Sequence, residues 1–118
     1  GKLPRPAGVS EAFAARAEEL LRQKGCVTCH KFGKVGGATG PDLTYVGSWT
    51  DDEAQMREFL RRWITNPSKV ERRAPQYWMT MNLTDRPMEL PPTLMPAIPM
   101  TEEELNIVVE YLLSLKKR

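Results

Sequence analysis

Every thiol in this 118-residue chain, and its one imidazole, falls within five consecutive positions, Cys26-Val27-Thr28-Cys29-His30. That confines sulfur and imidazole chemistry to a single turn. On a helical turn, positions i, i+3 and i+4 share a face, so both sulfurs and the ring would point to one side. Cys-x-x-Cys-His is the attachment pattern of c-type haem: the two sulfurs form thioethers with two vinyl groups while the adjacent imidazole reaches the iron along the ring normal. Three other chemistries compete for these residues. A structural zinc site wants four ligands, and Cys26, Cys29 and His30 supply three. A thiol-disulfide oxidoreductase, with Cys26 as nucleophile and Cys29 as resolving thiol, is expected beside a β-α-β pattern that is not legible here. A structural disulfide is the third.

The length suits a single domain over 1–118 with one core. A chain this short buries a modest share of its surface, so a large apolar cofactor would add substantially to that core. The formal net charge of +2, with acids and bases interspersed, argues against nucleic acid as a partner. No apolar run approaches the roughly 18 to 20 residues of a membrane span, and the N-terminus lacks the charged and apolar regions of a signal peptide. The chain therefore reads as a processed product or an excised domain, with any membrane tether lying outside it.

Three amphipathic helices are predicted. The first covers 10–24, with Phe13, Ala17, Leu20 and Leu21 on one face, Ser10 as its N-cap and Gly25 as its stop. A second covers 51–65; Thr50 and Glu53 form a capping-box pattern, Met56, Phe59, Leu60, Trp63 and Ile64 make one stripe, and Asn66-Pro67 ends it. The third starts at Thr101, where Glu104 completes another capping box, and carries Leu105, Val108, Val109, Leu112 and Leu115. Lys116, Lys117 and Arg118 are expected in its last turn, the sign that the helix dipole favours. No sustained alternation suggests a sheet, so the fold class is all-α, three main helices plus short helical turns. An extended segment over 1–9 precedes them. The stretch 67–99 holds seven of the ten prolines and is expected to be ordered by packing rather than by regular hydrogen bonding.

With His30 on one axial position of a haem iron, the second ligand cannot be another histidine, and methionine thioether is the natural remaining donor. Six methionines compete. Met56 lies on the second helix's apolar stripe and reads as core. Met100 precedes the cap Thr101 and is suited to a hydrophobic staple with Leu105. Met79, Met81 and Met88 sit in the proline-rich stretch. Met95 has no competing structural role, and Pro96 holds it extended, able to present its side chain inward; it is the chosen ligand.

Taken in order, Cys26-Val27-Thr28-Cys29-His30, Gly40-Pro41-Asp42-Leu43, Trp63-Ile64-Thr65-Asn66-Pro67, Met95-Pro96 and the final helix with Tyr111-Leu112 resemble a class I cytochrome c. The run 40–48 is similar to cytochrome c domains fused to a subunit of haem-copper oxidases. The resemblance implies the cytochrome c fold, with the first and last helices crossing so that Ala17 and Leu21 face Val108, Tyr111 and Leu112. It also implies that the Pro41 carbonyl accepts a hydrogen bond from His30 Nδ1, and that Trp63 packs in the haem pocket on the Met95 side, which the 67–99 loop would cover. Where such domains often carry an arginine at a haem propionate, this chain has Trp49, whose indole N–H can donate instead. Tyr45, Arg72 and Arg73 are weaker propionate candidates.

The expected function is electron transfer by one covalent haem c per chain, cycling Fe(II)/Fe(III) with His30 and Met95 as ligands and with no catalytic acid, base or nucleophile. The domain would serve as a soluble carrier or as the domain through which electrons enter a respiratory complex. Redox proteins, a terminal oxidase or another respiratory complex among them, are the expected partners, with Lys24, Lys31 and Lys34 flanking the motif and favouring an acidic docking face. Haem attachment in this family takes place outside the bacterial cytoplasm, which implies the periplasm or the outer face of a membrane. The rival readings are the thiol-disulfide oxidoreductase and a five-coordinate haem sensor or peroxidase.

Overall fold

In the computed structural model, which describes residues 2–67 and 94–117, the Ser10 hydroxyl accepts a hydrogen bond from the Phe13 amide at 3.1 Å and starts helix α1, Glu11–Gln23. A side-chain acceptor there satisfies one of the amides that a helix leaves without an intrahelical partner. Gly25, at φ 82°, turns the chain out of α1 and directly into a four-residue helix α2, Cys26–Cys29. Glycine alone takes up that left-handed backbone at little cost, so Gly25 is both the stop of one helix and the start of the cysteine turn.

A hairpin follows, which alters the expectation that no sheet would form. Its strands β1, Lys31–Phe32, and β2, Val35–Gly36, pair antiparallel with Phe32 opposite Val35. Two residues per strand leave no room for a visible alternation, and the Gly33-Lys34 turn sets the pairing instead. After a single 3₁₀ turn, Val46–Ser48, comes helix α3, Glu53–Thr65.

Its cap is not the expected Thr50. Asp52 accepts from the Gln55 amide at 3.0 Å, while the Thr50 hydroxyl accepts from the Asp52 amide at 3.2 Å. A carboxylate directly before the first helical residue sits at the positive end of the helix dipole, where a hydroxyl two residues earlier cannot compete. Helix α4, Glu102–Ser114, does carry both halves of its capping box: Glu104 amide to Thr101 Oγ1 at 3.1 Å, and Thr101 amide to Glu104 Oε1 at 2.9 Å. Lys116 and Lys117 lie beyond its last turn rather than within it. Leu115 is buried and its carbonyl accepts from the Gly47 amide at 2.8 Å, which draws the chain out of the helix before the lysines.

Apart from the small hairpin, the described residues form an all-α structure, in two compact units. Gly1–Ser48 with Met100–Arg118 makes one; Trp49–Pro99 makes the other. In the first, α1 packs on α4, with Ala17, Leu20, Leu21, Val108 and Tyr111 fully buried and Leu112 nearly so. The N-terminal segment is pinned to this pair. Leu3 is buried, its amide donates to Glu18 at 2.9 Å, and the Tyr111 hydroxyl donates to the Pro4 carbonyl. In the second unit α3 buries Met56, Phe59, Leu60 and Ile64, and the Ile98 amide donates to the Ile64 carbonyl at 3.2 Å. Most of the 67–99 stretch, with Met79, Met81, Met88, Arg72 and Arg73, lies outside the described residues.

Tyr111 offers a direct check on how the N-terminal segment is held. Removing its hydroxyl in Tyr111→Phe leaves the Pro4 carbonyl without that donor and is expected to cost about 1 kcal/mol in urea unfolding. Burial pushes the Tyr111 phenol up to about 12, and Glu18 adds in the same direction. A phenol that ionises later when folded than when unfolded stabilises the fold fully below its ordinary value of 10 and loses that contribution as pH rises from 10 to about 12. Stability should therefore fall over that interval in the wild type and fall less in Tyr111→Phe; identical slopes would contradict this.

Candidate haem site

Helix α2 is so short that its carbonyls need partners from outside, and the loop that follows supplies them. The Gly37 amide donates to the Val27 carbonyl at 3.0 Å and the Gly40 amide to the Cys29 carbonyl at 2.7 Å. His30 is the first residue past the helix, extended at φ −115° and ψ 144°, yet its amide still donates to the Cys26 carbonyl at 2.9 Å. The motif thus keeps its helical register up to the imidazole. Cys26 and Cys29 are both partly buried and are not joined to each other in a disulfide.

Laid across α2, the same loop reaches the His30 ring. The Pro41 carbonyl lies 2.8 Å from Nδ1, so a proton on Nδ1 is donated to it and Nε2 is left as the nitrogen that presents a lone pair. Gly40 is the other contact. A Cβ at that position would stand 2.6 Å from Cε1 and 2.9 Å from Nδ1, so no side chain fits between backbone and ring. Further along, Thr44 braces the loop to the hairpin: its hydroxyl accepts from the Gly33 amide at 2.8 Å and donates to Asp42 at 2.5 Å. What burial Asp42 has pushes its carboxyl up, but the two hydrogen bonds from Thr44 and the Lys31 charge outweigh that and hold it below the usual range. Neither the Gly40 seat nor the Thr44 brace was expected from sequence. The Asp-x-Thr spacing of an Asx turn was the available signal for the brace.

The donor set suits covalent haem: two sulfurs at i and i+3 of one turn, and beside them an imidazole of fixed orientation and tautomer. It suits the rival chemistries less. Burial pushes the Cys26 thiol up to about 11, and Cys29 adds to the rise against a backbone hydrogen bond that lowers it. A redox nucleophile needs the opposite, a thiolate accessible near neutral pH. Among the described residues no three His, Cys, Asp or Glu side chains gather as a metal-holding group, which leaves a structural zinc ion without a donor set there.

In the second unit, Trp63 projects from α3, partly buried and stacked on Phe59 with ring centroids 5.7 Å apart and planes 21° apart. Its indole Nε1–H donates to the Met95 sulfur at 3.0 Å. Met95 is partly buried and follows Leu94, which is 88% exposed. Met56 is 1% exposed, the burial of a core side chain. Met100 is partly buried in the first unit. Tyr45 is 51% exposed, its carbonyl accepting from the Ser48 amide in the 3₁₀ turn, and Trp49 is partly buried at the start of the second unit. So Cys26, Cys29, His30 and Pro41 come together in one unit, and Trp63 and Met95 in the other. Of the three lysines near the motif, Lys24 is paired with Glu104 at 3.4 Å, whereas Lys31 and Lys34 are exposed. No helix among the described residues is long and apolar enough to cross a membrane.

The family model for cytochrome c matches residues 14–116. Among curated proteins, cytochrome c oxidase subunit 2 of Alkalihalophilus pseudofirmus is 26% identical over 111 residues, which are 91% of this chain and 27% of that protein. The chain thus spans about a quarter of the length of the relative it matches. No solved structure matches it. Because the family match runs through α1, the cysteine turn, α3 and α4 alike, the chain belongs to the cytochrome c family, whose members transfer electrons through a covalently attached haem c.

Proposed function

We propose that this domain passes single electrons through a haem c ligated by His30 and Met95, and that it delivers them to a respiratory oxidase of which it is a part or a close partner. The observation that carries the ligation is the 2.8 Å contact between His30 Nδ1 and the Pro41 carbonyl, which leaves Nε2 as the ligating atom. Haem c supplies the one-electron Fe(II)/Fe(III) couple when bound.

The chain's own residues do the rest. The sulfurs of Cys26 and Cys29 hold the group covalently, so it cannot dissociate between turnovers. Pro41 strengthens His30 as a donor by accepting its Nδ1 proton, and Gly40 leaves the ring room to keep one orientation. Met95 offers a soft thioether, a ligand that favours the ferrous state and raises the reduction potential. Trp63 packs on the Met95 side, and Tyr45 and Trp49 are the candidates for propionate contacts. No acid, base or nucleophile is required, and the role is that of an electron carrier rather than an enzyme.

The oxidase setting is supported by the likeness to a cytochrome c oxidase subunit 2 and by the fraction of that protein to which this chain corresponds. A soluble carrier built on the same domain is the second form of the reading. Lys31 and Lys34 suit docking to an acidic redox partner, in an encounter that should be weak and salt-sensitive. The domain would work in the periplasm or on the extracytoplasmic face of the membrane, with 1–118 acting as one cytochrome domain.

Two variants separate the candidate sulfur ligands. Met95→Leu is expected to abolish the weak near-red charge-transfer band of methionine-ligated ferric haem and to let the reduced protein bind carbon monoxide rapidly, whereas Met100→Leu should leave both properties as in the wild type. A Met95→Leu protein that kept the band would move the ligand elsewhere. Gly40→Ala checks the histidine side: its methyl group should displace the His30 ring and shift the reduction potential, and an unchanged potential would contradict the seat described for the ring.

A further inference from the structure

The loop that carries Pro41 is bonded to the segment that carries His30 on both sides of the histidine. The Gly40 amide donates to the Cys29 carbonyl at 2.7 Å, and the Leu43 amide to the Lys31 carbonyl at 2.9 Å. Between these two points lies the Pro41–Asp42 peptide unit, whose carbonyl stands 2.8 Å from His30 Nδ1. Neither backbone bond fixes how that unit is rotated. A planar peptide unit can swing by opposed changes in the ψ of one residue and the φ of the next, and a proline ring locks only its own φ. The ψ of Pro41 and the φ of Asp42 need another restraint.

Thr44 supplies it. Its amide and its hydroxyl both donate to Asp42 Oδ1, at 2.9 and 2.5 Å, closing an Asx turn. The turn sets the direction of the Asp42 Cα–Cβ bond and, through the tetrahedral Cα, the direction of its N–Cα bond. An Asx turn by itself would move with its loop, but the same hydroxyl accepts from the Gly33 amide at 2.8 Å, in the turn of the hairpin. A hydroxyl can accept and donate at once, so one side chain joins both. The hairpin is held in its turn: Phe32 is fully buried, and Pro4 lies so close to Gly33 that a Cβ there would stand 3.2 Å from the Pro4 Cγ.

We propose, resting on His30 as an iron ligand, that Thr44 is a positioning residue for that ligand: its hydroxyl joins Asp42 to the hairpin, fixes the rotation of the Pro41–Asp42 peptide unit, and so keeps the carbonyl on His30 Nδ1 and the reduction potential low. The sign follows from charge. A carbonyl at Nδ1–H gives the ring more anionic character, which the ferric ion depends on more than the ferrous ion does. When the carbonyl swings away, the oxidised state loses more and the potential rises. A threonine that only packed the loop would be replaced by valine without change, because the two side chains have the same shape.

Three replacements test this in the holoprotein, read by potentiometry and by proton NMR of the ferrous form, where the His30 Nδ1–H is followed together with the backbone amides. Thr44→Val keeps the shape and removes the hydroxyl. Thr44→Ser keeps the hydroxyl. Asp42→Ala removes the other end of the brace while leaving Gly33 its acceptor, so it remains informative if the valine variant folds poorly. In Thr44→Val and Asp42→Ala the Nδ1–H should exchange with solvent about fivefold faster, the change expected from one hydrogen bond of ordinary net strength. The potential of both should shift to more positive values, while the amides of α1 and α4 exchange as in the wild type. Thr44→Ser should retain the wild-type exchange and potential, and the Gly33 amide should lose protection in Thr44→Val alone. Unchanged Nδ1–H exchange and potential in either brace variant, or faster exchange matched by the amides of α1 and α4, would overturn the proposal while leaving His30 as the ligand. A wild-type protein without a low-spin haem spectrum would overturn both.

Discussion

Much of this structure can be traced to one proton, the one that His30 Nδ1 shares with the Pro41 carbonyl. An imidazole without that partner can rotate, and either nitrogen can carry the proton. With it, the ring plane and the tautomer are both set, and Nε2 is the nitrogen left to bind. For the carbonyl to reach the ring, the loop 37–41 must lie against α2, and it does so by donating to the carbonyls of Val27 and Cys29. That close approach is possible only because residue 40 has no side chain.

Those contacts would mean little on a mobile turn, and the surrounding structure removes the slack. Gly25 joins the cysteine helix to α1 without a spacer, and α1 is packed on α4 through side chains that are fully buried. Tyr111 and Glu18 tie Leu3 and Pro4 to the same pair, while Thr44 links the 40–44 loop to the hairpin. Each of these hydrogen bonds is a modest interaction, worth on the order of 1 kcal/mol. Their value lies in acting together to hold one turn, since under the proposed ligation a group held in place reorganises little when the iron changes charge.

How much of this was legible beforehand depended on the range of the interaction concerned. Ser10, and Thr101 with Glu104, act within a few residues of chain, and sequence located both caps. The apolar faces of α1, α3 and α4 follow from helical periodicity and were read with their buried members, Ala17, Leu21, Met56 and Val108 among them. Competition between neighbours was harder to read: Asp52 displaced Thr50 as the cap of α3, and Leu115, buried and hydrogen-bonded to Gly47, ended α4 before its lysines. The hairpin was too short to leave a pattern. At the candidate site, Cys26, Cys29 and His30 were plain from spacing, and the interest of Pro41 and Trp63 came with the resemblance to class I cytochromes. The Gly40 seat, the Thr44 brace and the bond from Trp63 to the Met95 sulfur were not foreseen, because they depend on how distant segments approach one another.

Whether the Cys26–His30 turn attaches haem covalently can be decided by extraction. Purified protein would be treated with acidified acetone, and the polypeptide fraction then dissolved in alkaline pyridine and reduced for its visible spectrum. The colour should stay with the polypeptide, and the α band should fall where haem with both vinyl groups saturated absorbs, one thioether for each of Cys26 and Cys29. Colour that passes into the acetone, or a colourless polypeptide with two titratable thiols, would contradict it.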